Sequence, residues 1–346
     1  VLAGALKGES AISRSVHPTI YDVAARAGVS IATVSKTLNT PTRVAPSTRE
    51  RVLDAVHELD YVPKEVATTR ARRGTGRVGV FAPFSAHPSF GDRLNGVLGV
   101  MSGPRHEVVV FDVRSAEESA DVLESLPALR SLDGLILMSV PFGKRVASAM
   151  RRGRLPVVLV DLVRSDFPTV LVDDLQGGAL AAVTLREAGK SRLAYVGHRQ
   201  LIDDFDSPSR RRQAGFEEEI TRGGLGILPP VMTLLVSNDF TEASAAAEEL
   251  LRADGRPDGV FAHTDELAAA VWAAADRVGL RVPEDLAIVG FDDGVIAQAL
   301  GLTTIRQPLR ETGQWAAQSM REMIADPGLV VPSLTLSVSL IRRRSA

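Results

Sequence analysis

Apolar residues recur at helical spacing near the start of the chain and in short solid runs further on. Ile20, Val23, Ala24 and Ala27 form a stripe with a 3.6-residue period. Thr19 precedes the stripe and Asp22 follows three residues later, a hydroxyl and a carboxylate spaced as a capping box. Gly28 breaks this helix. Ser30 is a cap for a second helix, which runs through Val34 and Leu38 to about Asn39 and is ended by Pro41. Ser47 is the expected cap of a third, with Val52, Leu53, Val56 and Leu59 as its buried face and a stop near Asp60, ahead of Pro63. Three short helices with a glycine turn between the first two make the helix-turn-helix pattern. Any small three-helix bundle shares that outline. The second helix, however, carries small and polar residues where a core helix would not.

From Lys64 to Gly76 the composition changes, with Arg70, Arg72 and Arg73 beside Gly74 and Gly76, and the segment reads as a linker. From Arg77 on, apolar runs predict strands at Val78–Ala82, Val108–Phe111, Gly134–Met138, Val157–Val160, Leu193–Val196, Gly259–Phe261 and Ala287–Gly290. Amphipathic segments such as Thr241–Arg252 and Glu266–Val278 alternate with them. Repeated strand–helix units predict an α/β body with parallel, doubly wound sheets behind the all-α head. Two such units in tandem enclose a cleft at the carboxyl ends of their strands.

Composition narrows this picture. The 346 residues suffice for a small module and one or two α/β domains. Cysteine is absent, which removes disulfides and thiolate metal sites and fits a reducing cytoplasm. No apolar run has the length of a membrane span, and Val1–Pro18, without an apolar signal core, reads as a disordered leader. Residues 1–74 carry a net charge of +4 and the remainder −6. A basic head on an acidic body suggests that the head meets a polyanion.

The run TIYDVAARAGVSIATVSKTLNTPTRVAPSTRERVLDAVHELDYVP closely resembles the head of the lactose-repressor/galactose-repressor (LacI/GalR) family. DGLILM, PVVLVD, SRRRQAGFEEEI, LRVPEDLAIVGFDD and LTTIRQP follow in the family's order and extend the resemblance over nearly the whole chain from Thr19. It implies a head at 19–62, a hinge at 63–76 and a periplasmic-binding-protein-like body at 77–346. Within the body it implies an N-lobe at about 77–173 and 306–329 and a C-lobe at about 174–305 and 330–346, joined by three crossovers. It further implies a cytoplasmic repressor, a homodimer or tetramer, bound to a palindromic double-stranded DNA operator. A sugar or related metabolite in the cleft would switch it. No cofactor or resident metal is implied.

The resemblance sets the second helix in the major groove, its N-terminal end against base edges. Ile31, Ala32 and Lys36 then occupy the reading positions. The first two suit thymine methyls, and Lys36 suits guanine O6 and N7. Ile31 is otherwise a core residue. Thr33, Ser35, Asn39 and Thr48 fall where hydroxyl and amide groups meet phosphates, the caps Thr19 and Ser30 count among the DNA-binding residues, and Tyr21 and Tyr61 add phenols. Arg43, in the following loop, reaches a base or a phosphate, or is simply solvated. The hinge departs from the family. Lys64 replaces the usual asparagine and Arg70 the leucine that wedges into the minor groove, while Ala67 is retained. An arginine suits a narrow A·T-rich minor groove, which predicts a weaker central kink and a more salt-sensitive affinity.

In the body the resemblance carries effector contacts to Phe90, Asp161, Arg212, Phe240, Thr264, Asp265 and Asp292. Thr264 stands where many members have asparagine. Three have another reading: Asp265 as a helix cap, Asp292 as a turn residue, Phe90 as core. His87, His198 and His263 fall in loops expected to rim the cleft, as ligand donors, a metal site, or unrelated loop histidines. A solute-binding receptor would share this body. The adjacent acids Asp173–Asp174 and Asp292–Asp293 are not a positioned acid/base dyad, and neither a phosphate-cradling GxxxxGK[ST] nor a GxSxG elbow is present. The chain reads as a binding protein and not as an enzyme.

Overall fold

Buried on both faces, Gly134–Met138, Val157–Val160, Gly259–Ala262 and Ala287–Asp292 form inner strands of two mainly parallel sheets, whereas the half-buried runs His106–Asp112 and Met232–Val236 lie at edges. The computed structural model describes residues 18–61, 76–85, 87–103, 106–113, 116–129, 131–199, 206–222, 231–237 and 239–346. The expected leader (apart from Pro18) and nearly all of the hinge, with Lys64, Ala67 and Arg70, lie outside them.

The head contains α1 (Ile20–Ala27), α2 (Ile31–Asn39) and α3 (Pro46–Glu58), with a 3-10 turn at Pro41–Arg43. Thr19 and Asp22 close the capping box, the Thr19 amide donating to the carboxylate at 2.7 Å. Gly28, at φ +64°, ends α1 in the left-handed region that favours glycine. Ser30 caps α2 by accepting from the Thr33 amide. The third cap differs from expectation. Helix α3 starts one residue before Ser47, because Pro46 already has the φ of a first helical turn, and Ala45 stands at the cap without a side-chain bond.

The first body sheet combines β1 (Gly76–Ala82), β2 (His106–Asp112), β3 (Gly134–Met138), β4 (Val157–Val160), β5 (Thr169–Val172) and β11 (Leu334–Leu336). Its order is β11-β5-β4-β3-β1-β2, all parallel. Helices α4 (Ser89–Met101), α5 (Ala116–Leu129), α6 (Lys144–Arg152) and α12 (Leu309–Ala325) complete this N-lobe. The second sheet has the order β12-β10-β9-β8-β6-β7. It is formed by β6 (Leu193–His198), β7 (Met232–Val236), β8 (Gly259–Ala262), β9 (Ala287–Asp292), β10 (Thr303–Arg306) and an antiparallel β12 (Ser339–Ile341). Helices α7 (Asp174–Glu187), α8 (Pro208–Arg222), α9 (Phe240–Arg252), α10 (Asp265–Arg277) and α11 (Val295–Leu300) complete the C-lobe.

The chain changes lobe between β5 and α7, between β10 and α12, and between β11 and β12. The third change falls after Leu336, not after residue 329 as expected, because Leu334–Leu336 pair with Val170–Val172 at the edge of the first sheet. Each sheet is covered by apolar clusters on both faces. One helix pair per lobe packs backbone to backbone. A Cβ on Gly313 of α12 would lie 1.9 Å from the Arg93 carbonyl of α4, and one on Gly178 of α7 would lie 2.0 Å from the Arg212 carbonyl of α8. These glycines fix the depth at which both arginines enter the space between the lobes.

Candidate nucleic-acid interface and ligand cleft

Helix α2 divides cleanly by face. Val34, Thr37 and Leu38 are buried in the head core, with Thr37 Oγ1 donating to the Thr33 carbonyl. Ile31, Ala32, Lys36 and Asn39 are exposed on the opposite side, and Ile31 keeps 39% of its surface open. A large apolar residue held at the exposed start of a helix has a surface to offer a base edge, not a place in the core. Asn39 Nδ2 donates to Ser35 Oγ at 3.3 Å. Ser30 and Thr33 share a hydrogen bond between their hydroxyls. Thr19, Tyr21 and Arg43 are exposed and Thr48 half-buried at the start of α3. Tyr61 is placed differently: its ring packs with Val23, Val52 and Val56 in the head core, and burial raises its phenol above the ordinary range.

The head rests on the N-lobe through charge. Arg49 of α3 is buried and meets Asp121 of α5 at 2.6 Å and Glu124 at 3.8 Å. Its Nη1 also donates to the carbonyl of Pro41, in the turn that follows α2. Arg145 of α6 faces Glu50 and Glu124 in the same network. Sequence reasoning did not single out Arg49, since a basic residue in a basic helix gives no sign of burial.

Between the lobes lies a cavity of about 190 Å³, room for a small molecule and not for a folded partner. The N-lobe contributes His87, Phe90, Arg93, Ser139 and Asp161, and the C-lobe His198, Ser209, Arg212, His263, Thr264 and Asp292. Ser139, Asp161, His198, His263 and Asp292 sit where a strand ends. Ser139, Asp161 and Asp292 hold positive φ angles of 53°, 60° and 116°. Non-glycine residues in that region are strained, and such strain collects at binding sites.

The charged groups are linked across the lobes. Arg93 Nη2 pairs with Asp161 at 2.7 Å and donates to Gln307 Oε1 at 3.1 Å. Gln307, on the crossover after β10, donates in turn to Asp292. Arg212 Nε pairs with Asp174 at 2.8 Å, and its guanidinium lies 3.5 Å over the Phe291 ring. Arg212 Nη1 donates to the His263 carbonyl and to its Nδ1. A guanidinium only donates, so His263 Nδ1 accepts and Nε2 carries the ring proton. Burial, and then the two cleft arginines, hold His87 down at about 4, while burial and His87 hold His198 at about 3. Both imidazoles are neutral at neutral pH.

The cleft thus brings together Phe90, Asp161, Arg212, Thr264 and Asp292 of the expected effector residues. Phe90 is both core and cleft wall, at 5% exposure. Two expected residues stand elsewhere. Phe240 starts α9 half-exposed and does not line the cleft. Asp265 turns inward, accepting from Thr304 Oγ1 at 2.6 Å and from the Gly294 amide at 2.8 Å, while Thr264 caps α10. Burial and the charge of Asp292 push Asp265 up to about 8. The sequence reading missed Arg93, Ser139 and Gln307. Arg93 had one visible signal, a lone arginine on an otherwise apolar helix face. Among the described residues no group of three or more histidines and carboxylates is arranged to hold a metal ion, and no helix is long and apolar enough to cross a membrane.

Two family patterns match the chain. Residues 19–64 match "Bacterial regulatory proteins, lacI family", and residues 182–346 match "Periplasmic binding protein-like domain". The HTH-type transcriptional repressor PurR of Erwinia tasmaniensis is 32% identical over 335 residues, covering 94% of this chain and 96% of that protein. The ribose operon repressor of Escherichia coli is 30% identical over 335 residues, covering 95% and 99%. Among solved structures, the complex of the transcriptional regulator CelR with cellobiose superposes with a TM-score of 0.69 at 28% identity, covering 95% of this chain and all of that one.

Proposed function

The chain belongs to the LacI family of bacterial regulatory proteins, and on that premise we propose that it is a ligand-responsive transcriptional repressor. As a dimer it binds a palindromic DNA operator in the cytoplasm through the exposed face of α2. Ile31 and Ala32 offer apolar contact to thymine methyls and Lys36 donates to guanine. Arg70, in the hinge, approaches the minor groove where relatives would insert leucine. A small hydroxylated molecule occupies the cleft against Phe90, Asp161, Arg212, Thr264 and Asp292. Binding alone works the switch and no catalytic step is assigned.

The observation that carries this reading is the position of Gln307. It accepts from Arg93 of the N-lobe and donates to Asp292 of the C-lobe, so a molecule in the cleft competes with a bond that joins the two lobes. A ligand that prefers one lobe arrangement shifts the population toward it, with a coupling of about 1–3 kcal/mol. The head follows through Arg49, which ties α3 and the turn after α2 to the N-lobe. A solute-binding receptor would leave the exposed face of α2 without a use.

Selection from random duplexes tests the proposal. The enriched sites should be palindromic, with half-sites about one helical turn apart or a multiple of it. A thermal-shift screen against sugars and nucleosides should then find a ligand that changes operator affinity in a gel-shift assay. Enrichment of unrelated sequences, or small-angle scattering from a monomer at micromolar concentration, would overturn it.

A further inference from the structure

The balance of hydrogen-bonding groups in the cleft bears on what its ligand must carry. Both lining carboxylates already accept from the protein. Asp161 takes Arg93 at 2.7 Å and Ser139 Oγ at 3.4 Å, and Asp292 takes Gln307. Several donors are not so matched. Arg93 is 2% exposed, and its Nε has no partner among the described residues. Neither ring nitrogen of His198 has one either. His263 has its Nδ1 engaged by Arg212 and keeps an Nε2–H. The rings form a chain across the cleft. His87 of the N-lobe lies 5.1 Å from His198 of the C-lobe, and His198 lies 5.1 Å from His263. Buried donors without acceptors cost free energy until a ligand supplies the acceptors.

We infer that the effector carries an anionic group, a carboxylate or a phosphate, which seats against Arg93 Nε and the His87–His198–His263 wall. This rests on the cleft being the effector site and adds to it the charge of the ligand. An imidazole is suited to the task because it turns from acceptor to donor on taking a proton. The groups that face His198 are His87 from the loop before α4, His263 from the end of β8, and Arg212 from α8. Arg93 acts on His87, and Asp161 and Asp292 line the same cavity. In the free protein this set disfavours a proton on either ring. An anion beside His198 raises its pKa, so binding draws in a fraction of a proton from solvent, more at pH 6 than at pH 8.

The test is a thermal-shift and calorimetric panel of matched compounds: ribose, ribonate and ribose 5-phosphate, and glucose, gluconate, glucuronate and glucose 6-phosphate. An acidic member should bind at least tenfold more tightly than its neutral parent, and the aldonate and phosphate arms separate the two anions. For the carboxylates, which do not titrate between pH 6 and 8, the binding enthalpy should depend on the ionisation enthalpy of the buffer, and the affinity should rise as pH falls from 8 to 6. His198→Gln, checked for fold by circular dichroism, should abolish the buffer dependence and most of the preference. Binding confined to neutral sugars overturns the inference and leaves the cleft reading standing. No shift with any member, while a neutral compound of the wider sugar and nucleoside screen binds, also overturns the inference alone, and no shift with any compound of that screen overturns the cleft reading with it.

Discussion

Arg49 and Asp121 join two parts of the chain that a linker would otherwise leave independent. The guanidinium, on the third head helix, meets the N-lobe carboxylate at 2.6 Å and is itself buried. Removing one partner of a buried pair leaves the other charge uncompensated, which is more costly than losing the pair. Asp121 is about one-third exposed and Glu124 remains near Arg49, so the loss is smaller than for a fully buried pair. Asp121→Asn should lower the head's unfolding free energy by about 1–2 kcal/mol. Calorimetry should show the head melting ahead of the body. In gel shifts, the effector-dependent change in operator affinity should shrink severalfold.

The reading face makes a prediction independent of the body. Lys36 is exposed, and α2 is held by Val34, Thr37 and Leu38 on its other side, so Lys36→Ala should leave the head folded. It should weaken specific binding by about 1–3 kcal/mol and relax base preference at one position per half-site. Selected sequences for the two proteins, compared position by position, would reveal this. A uniform loss across all positions would instead make Lys36 a phosphate contact.

The cleft histidines set an acid limit on stability. Burial holds His87 at about 4 and His198 at about 3, against an ordinary 6.5. Below pH 6.5 the unfolded chain takes up protons that the closed cleft refuses. Their contribution is therefore fully present above that pH and is lost as pH falls through 6.5 toward 4. For His87 alone the loss at pH 5 is on the order of 2 kcal/mol. Urea titrations at pH 7.5 and pH 5 should show it, and His87→Gln should reduce the difference between them.

Asp265 predicts the opposite slope. Burial and the nearby charge of Asp292 raise it to about 8, above its unfolded value of 3.8. The folded state holds the proton more firmly, so this stability is present at low pH and fades as pH rises toward 8. Asp265→Asn keeps an acceptor for the Gly294 amide without the charge. Its melting temperature should gain on the parent between pH 5 and pH 8.5 and match it at pH 4. A constant difference across that range would show that Asp265 does not titrate there.

Local rules in the sequence determined the elements themselves. The Thr19–Asp22 box, Gly28 and Ser30 are decided within four residues of where they act, and buried strands such as β3 and β9 declare themselves as apolar runs, whereas the buried β5 and β10, which carry threonines, did not. The edge strand β7 was not legible, because its alternating burial leaves a weak signal. Nor was β11, whose lobe is chosen by pairing with β5 across more than 160 positions of chain. The site divides in the same way. Family motifs placed Asp161, Arg212 and Asp292 near a cleft: Asp161 follows β4 and Asp292 ends β9, whereas Arg212 lies within α8 and was placed by the motif alone. Only the tertiary structure decided that Asp265 turns away toward Thr304, that Tyr61 is core, and that Arg93 and Gln307 connect the lobes. The choice depends on which distant backbone amides, hydroxyls and guanidiniums arrive beside a side chain, and local periodicity carries no record of them.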